Sequence, residues 1–159
     1  MSPPNQELPL FAAEAEGTTF KCPDCTILTT VKRNAVVVDV RPAERHFLHR
    51  FFANVFATFD LWRLSVDSIA TSASCITVSL WSEMPLVKCI SEEKYEIVDK
   101  NLYHAIQDLH RYGAVDLAVG MAIVSGIDGR IRNSAFATSI STVLGRSNIN
   151  ISMLSQGEL

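Results

Sequence analysis

One pattern occurs twice along this chain and limits what it can fold into: a β-branched strand, an amphipathic helix, then a strand running into small polar residues. The first pass reads VVVDV at residues 36–40, a helical stretch, then LSVDSIATS at 64–72; the second reads MAIVSGI at 121–127, a helical stretch, then INISMLSQG at 149–157. In the first helical stretch Phe47, Phe51, Val55, Phe59 and Trp62 recur at helical spacing, and Phe52 and Phe56 widen the apolar face. CITVSLW at 75–81 alternates apolar and small polar residues, the two-residue period of a half-covered strand. Helices of this kind bury their apolar face against a sheet. The expected fold is therefore α+β, with helices on one face of a mainly antiparallel sheet. An echo of this kind also arises by chance in α+β chains, so the pattern alone does not establish a duplication.

Between the repeats, the segment from Ser91 to Tyr112 is expected to be one long helix, with Ser91 as N-cap, Glu92 and Glu93 in the first turn and Gly113 as a left-handed C-cap. Ile97, Leu102, Ile106 and Leu109 would form its buried face. ILTTVKRNAVVVDV at 27–40 reads as two strands with a turn at Arg33-Asn34. Val115 to Val124 reads as one or two strands, and Asp128-Gly129 as a turn. Phe136, Ile140, Val143 and Leu144 mark a third helix, and Ile149 to Leu154 a last strand.

With 159 residues, 48% of them hydrophobic, the chain is long enough to bury a core without metal or disulfide. A net charge of -3, with Lys and Arg scattered, leaves no footprint for nucleic acid. No apolar run approaches the roughly 20 residues of a membrane span. The opening MSPPNQELPLF has neither the basic start nor the apolar core of a signal peptide, so a cytoplasmic location with reduced thiols is expected. Pro3, Pro4, Pro9 and Gly17 give residues 1–20 the composition of a tail. Cys22 and Cys25 form a CxxC pair, half a zinc site with no second half, so neither metal nor cofactor is expected.

Four segments, VKRNAVVVDV, FANVFATF, SVDSIATS and AVDLAVGMAIVS, followed by NINISMLSQG, resemble in order and spacing the regulatory region of monofunctional aspartate kinases, from about Thr26 to Gly157. That resemblance implies paired ACT domains, each a ferredoxin-like βαββαβ unit. It divides the chain into a first unit over 21–112 and a second, shortened unit over 113–159. It also implies a homodimer, a small amino acid as effector, and pairing with a full-length aspartate kinase in trans. No Lys-Phe-Gly-Gly-type start or glycine-rich phosphate loop occurs, so kinase activity is not expected of this chain alone.

The same resemblance implies a ligand pocket between the start of the first helix, at Arg50, Phe51, Phe52 and Ala53, and the strand from Val66 to Ser72. Asp67 matches the family's acidic residue and suits an amino group; Thr71 and Ser72 match the hydroxyl residues that would hold an α-carboxylate. Arg50 replaces the usual Gly and Ala73 the usual Glu, which alters the pocket. His46, His49 and Arg50 beside Asp67 suggest a second reading, in which the module serves as a small acid-base enzyme, a cyclase or isomerase on a specialised metabolite.

Overall fold

The computed structural model describes residues 20–21, 27–43, 48–91, 94–128 and 135–155. The CxxC pair, His46, Glu92, Glu93, Gly129 and all of the expected tail except Phe20 lie outside the described residues. Among the described residues seven strands and three helices follow one another as β1 (Phe20–Lys21), β2 (Ile27–Pro42), α1 (Leu48–Leu61), β3 (Val66–Thr71), β4 (Ile76–Leu80), β5 (Val87–Ser91), β6 (Lys94–Ile97), α2 (Lys100–Leu109), β7 (Gly113–Asp128) and α3 (Ala135–Arg146).

The β-branched run of β2 pairs antiparallel with β4 through Val36–Leu80 to Val40–Ile76, and with β7 over its whole length. β3 joins the far side of β4, and β1 pairs with the start of β2. Taken in chain order, β2, α1, β3, β4, α2 and β7 make a βαββαβ unit whose strands lie side by side as β7, β2, β4, β3. The antiparallel pair β5–β6 is inserted ahead of α2.

Alternation in β2 and β4 sends Val36, Val38, Val40, Ile76, Val78 and Leu80 to one face, each at most 1% exposed. Phe51, Val55 and Phe59, four apart on α1, and Leu102, Ile106 and Leu109 on α2 cover them. Each such buried side chain contributes roughly 1.5–3 kcal/mol relative to exposure. The helices are clamped where α1 ends: the Trp62 indole N–H donates to Asp108 at 2.8 Å and its ring stacks on His104.

Four local expectations are corrected. Arg33-Asn34 is not a turn: β2 runs through it, and Asn34, at φ 59°, is an extra residue relative to β7. An opposing extra residue in β7 near Gly120, at φ 70°, restores the register, so two bulges replace the reversal. Ser91 ends β5 rather than capping a helix, because β5 and β6 pair antiparallel; the helix begins at Asp99, whose carboxylate accepts from Leu102 N–H at 2.7 Å. Gly113 is not a left-handed cap. It opens β7, where a Cβ would collide with the Arg41 carbonyl oxygen.

Ile149 to Leu154 forms no strand, since no sheet edge among the described residues pairs with it; Met153 lies instead against the hydroxyl of Ser68 at 3.9 Å. The third helix is present as α3. On it Ile140 and Leu144 are half-buried, whereas Val143 is 61% exposed, and the side chain of Phe136 lies outside the described residues.

Candidate functional site

The start of α1 divides its residues between solvent and core. His49 and Arg50 are exposed, and among the described residues neither side chain makes a hydrogen bond or ion pair. Phe51 is buried and Phe52 packs against the same core, so both aromatic rings support the helix-on-sheet layer. Their rings touch at a centroid distance of 5.8 Å.

On β3 the residues Asp67, Ile69 and Thr71 are exposed in alternation with half-buried Val66, Ser68 and Ala70. A bulge between Val66 and Ser68 sits at Asp67. There the carboxylate receives the ammonium of Lys32 from β2 at 2.5 Å, beyond the end of β4, whose pairing with β2 stops at Val36–Leu80. The same ammonium lies 5.0 Å from the centre of the Trp81 ring, and the Trp81 N–H is anchored on the Arg33 carbonyl at 3.0 Å. Lys32 and Asp67 keep 33% and 26% side-chain exposure, so the pair is reached by solvent.

Thr71 and Ser72 occupy the opposite end of β3, about 13 Å away at the usual rise of a strand. Ser72 N–H donates to the Cys75 carbonyl at 2.9 Å, and Ser72 Oγ accepts from Ser74 N–H at 3.2 Å, closing the turn into β4. Ala73 is exposed in that turn. Chain order brings the start of α1 to this end too. The predicted residues therefore fall into two groups: Arg50, Thr71 and Ser72 at one end, Asp67 at the other.

Two further polar clusters escaped sequence reasoning. On the sheet face away from the helices, Thr77 Oγ1 donates to Asp39 at 2.5 Å beside Cys75, Ser68 and Ser79 share hydroxyls at 2.9 Å, and Arg41 pairs with Asp116. The alternation of ITVSL and VVVDV already placed Thr77, Ser79 and Asp39 opposite the apolar residues. A cavity of about 220 Å³ lies between the end of α1 and the start of α2, lined by Arg63, Trp81, Asp99 and Asn101 among others. Nothing in the sequence signals it. Among the described residues no three His, Cys, Asp or Glu side chains gather as metal ligands, and no helix is long and apolar enough to cross a membrane.

No family model matches the chain. It is 30% identical over 129 residues to the aspartokinase of Schizosaccharomyces pombe, an alignment covering 80% of this chain and 22% of that protein. An aspartate kinase-like protein of Epichloe uncinata is 34% identical over 122 residues, covering 73% of this chain and 58% of that protein. The chain thus spans about a fifth of the fission-yeast enzyme it matches. Among solved structures, a putative C-terminal regulatory domain of aspartate kinase from Porphyromonas gingivalis superposes with a TM-score of 0.63 at 21% identity, covering 85% of this chain and 81% of that one. Escherichia coli aspartokinase III, solved with lysine and aspartate, superposes with a TM-score of 0.57 at 22% identity, covering 81% of this chain and 26% of that one.

Proposed function

We propose that this chain, a homologue of the C-terminal regulatory region of aspartokinases, is an ACT-type regulatory module that binds a small amino acid as a homodimer. The observation that carries the reading is the coincidence of sequence and fold. The chain superposes on a putative regulatory domain over most of both chains, and the strand that resembles the family's ligand segment is an edge strand of the sheet among the described residues.

That edge explains how two separated groups serve one ligand. The ammonium and carboxylate of an α-amino acid lie far closer together than the two ends of β3. If two β3 edges meet antiparallel about Ile69, 42% exposed at the middle of the strand, Asp67 of one protomer stands opposite Thr71 of the partner subunit. The carboxylate then receives the ligand's amino group while the hydroxyls hold its carboxylate. Within this reading the chain divides into a unit over 21–112 and another over 113–159, and β7, the first element of the second, pairs along β2 of the first. The lysine bound by E. coli aspartokinase III makes lysine a first ligand to test, with aspartate, threonine and methionine. The dimer surface is also where a full-length aspartate kinase would pair, and the cytoplasm is where it would be met.

Calorimetry with these amino acids and light scattering on the eluting protein test the proposal. The expected result is a dimer that releases heat with one amino acid and loses that response in Asp67→Asn. A monomer at micromolar concentration with no heat from any of them overturns it.

A further inference from the structure

A carboxylate and an indole face within reach of one ammonium make a recognisable receptor. The carboxylate supplies a charge-assisted hydrogen bond, and the ring face supplies the quadrupole that attracts a cation. Asp67 and Trp81 provide both, and both act on the same nitrogen, Lys32 Nζ, at 2.5 Å and 5.0 Å. The ring does not hang free: its N–H is held by the Arg33 carbonyl, the residue next to Lys32. The three groups come from β2, β3 and the residue that follows β4.

We propose that Asp67 and Trp81 form a binding box for a primary alkylammonium, and that this chain fills the box with its own Lys32, so that an external amino group enters only when Lys32 leaves. The inference rests on the reading of Asp67 as an amino-group acceptor. A tethered ammonium acts at an effective concentration of millimolar or more, so an outside competitor must exceed it or Lys32 must be drawn away. Lys32 precedes the Asn34 bulge, on the part of β2 that pairs with the second half of β7, so movement of that half relative to β3 is what would open the box. The module would then answer to the arrangement of its two halves as well as to ligand concentration.

n-Butylammonium copies the four-carbon stem and the ammonium of lysine, and is the probe. It is titrated into wild type and Lys32→Ala at matched sodium chloride, with the Trp81 indole N–H resonance as readout. The expected result is saturable binding to K32A at least about tenfold tighter than to wild type, abolished by adding Asp67→Asn. Equal responses in wild type and K32A, a response that survives D67N, or no response in folded K32A overturns the proposal.

Should K32A fail to fold, acylation of wild-type lysines read by mass spectrometry provides a second measurement. Lys32 is expected to react more slowly than exposed Lys88, Lys94 and Lys100, and equal rates overturn the box. The two proposals fail separately. Butylammonium binding to K32A without amino-acid heat in either wild type or K32A upholds the box and removes the effector; amino-acid heat without butylammonium binding to K32A removes the box and leaves the effector.

Discussion

Lys32 and Asp67 are bonded at 2.5 Å beyond the end of β4, whose pairing with β2 stops at Val36, so the first half of β2 is tied to the edge strand β3 by side chains alone. Asp67 is the residue for which the resemblance to aspartate kinases implies an acceptor of an external amino group. Its energetic weight can be bounded. Both side chains are about a quarter to a third exposed, and partly exposed pairs contribute about 0.2–1 kcal/mol. A double-mutant cycle of K32A and D67N in urea is expected to return a coupling within that range, smaller at high salt. A coupling of several kcal/mol would show a desolvated pair instead.

Gly113→Ala is expected to be among the most damaging single-methyl changes in the chain. The new Cβ meets backbone oxygen rather than a side chain that can swing aside, so β2 and β7 must separate locally. A loss of more than about 2 kcal/mol, seen as a lower urea midpoint, is expected. Gly145→Ala, with open space around the Cβ, is the control.

Asp99→Ala removes the acceptor for Leu102 N–H at the start of α2. A loss of about 1 kcal/mol is expected, with Asp99→Asn recovering most of it. Ser91→Ala, at the position the sequence suggested as the cap, is expected to change stability by less than about 0.5 kcal/mol. Thermal melts of the three variants decide which residue caps the helix.

Arg63 closes α1 at φ 52°, with Leu64 N–H donating back to the Phe59 carbonyl at 2.9 Å. This is the left-handed cap position that glycine occupies without steric cost. Arg63→Gly is therefore expected to raise stability by about 0.5–1 kcal/mol. A lower melting temperature would mean that the Arg63 side chain contributes more than its backbone costs.

The acid-base reading of the helix start finds no assembled group among the described residues: Asp67 is engaged by Lys32, and His49 is exposed without a partner.

The sequence by itself determined α1, the paired strands β2 and β4, and the buried face of α2 from Leu102 onward. Phe51, Val55 and Phe59 specify α1, and the alternation around Val38 and Val78 specifies the paired strands, because periodic burial is a local property. It also carried the resemblance to aspartokinase regulatory regions. The structure decided everything that depends on a distant partner. Asn34 and Gly113 have the composition of a turn and a cap, yet lie in continuous strands, because residues that tolerate unusual backbone or close approach suit bulges and tight strand contacts as well as reversals. Ser91 and Asp99 are both good caps; the antiparallel pairing of β5 and β6 leaves the role to Asp99. Asp67, Thr71 and Ser72 are neighbours in sequence, but an extended strand sets Asp67 well apart from the other two, and only the extension of β2 beyond the end of β4 brings Lys32 to Asp67. Lys32 is 35 residues from Asp67 along the chain, and no local pattern encodes a contact that the sheet order creates.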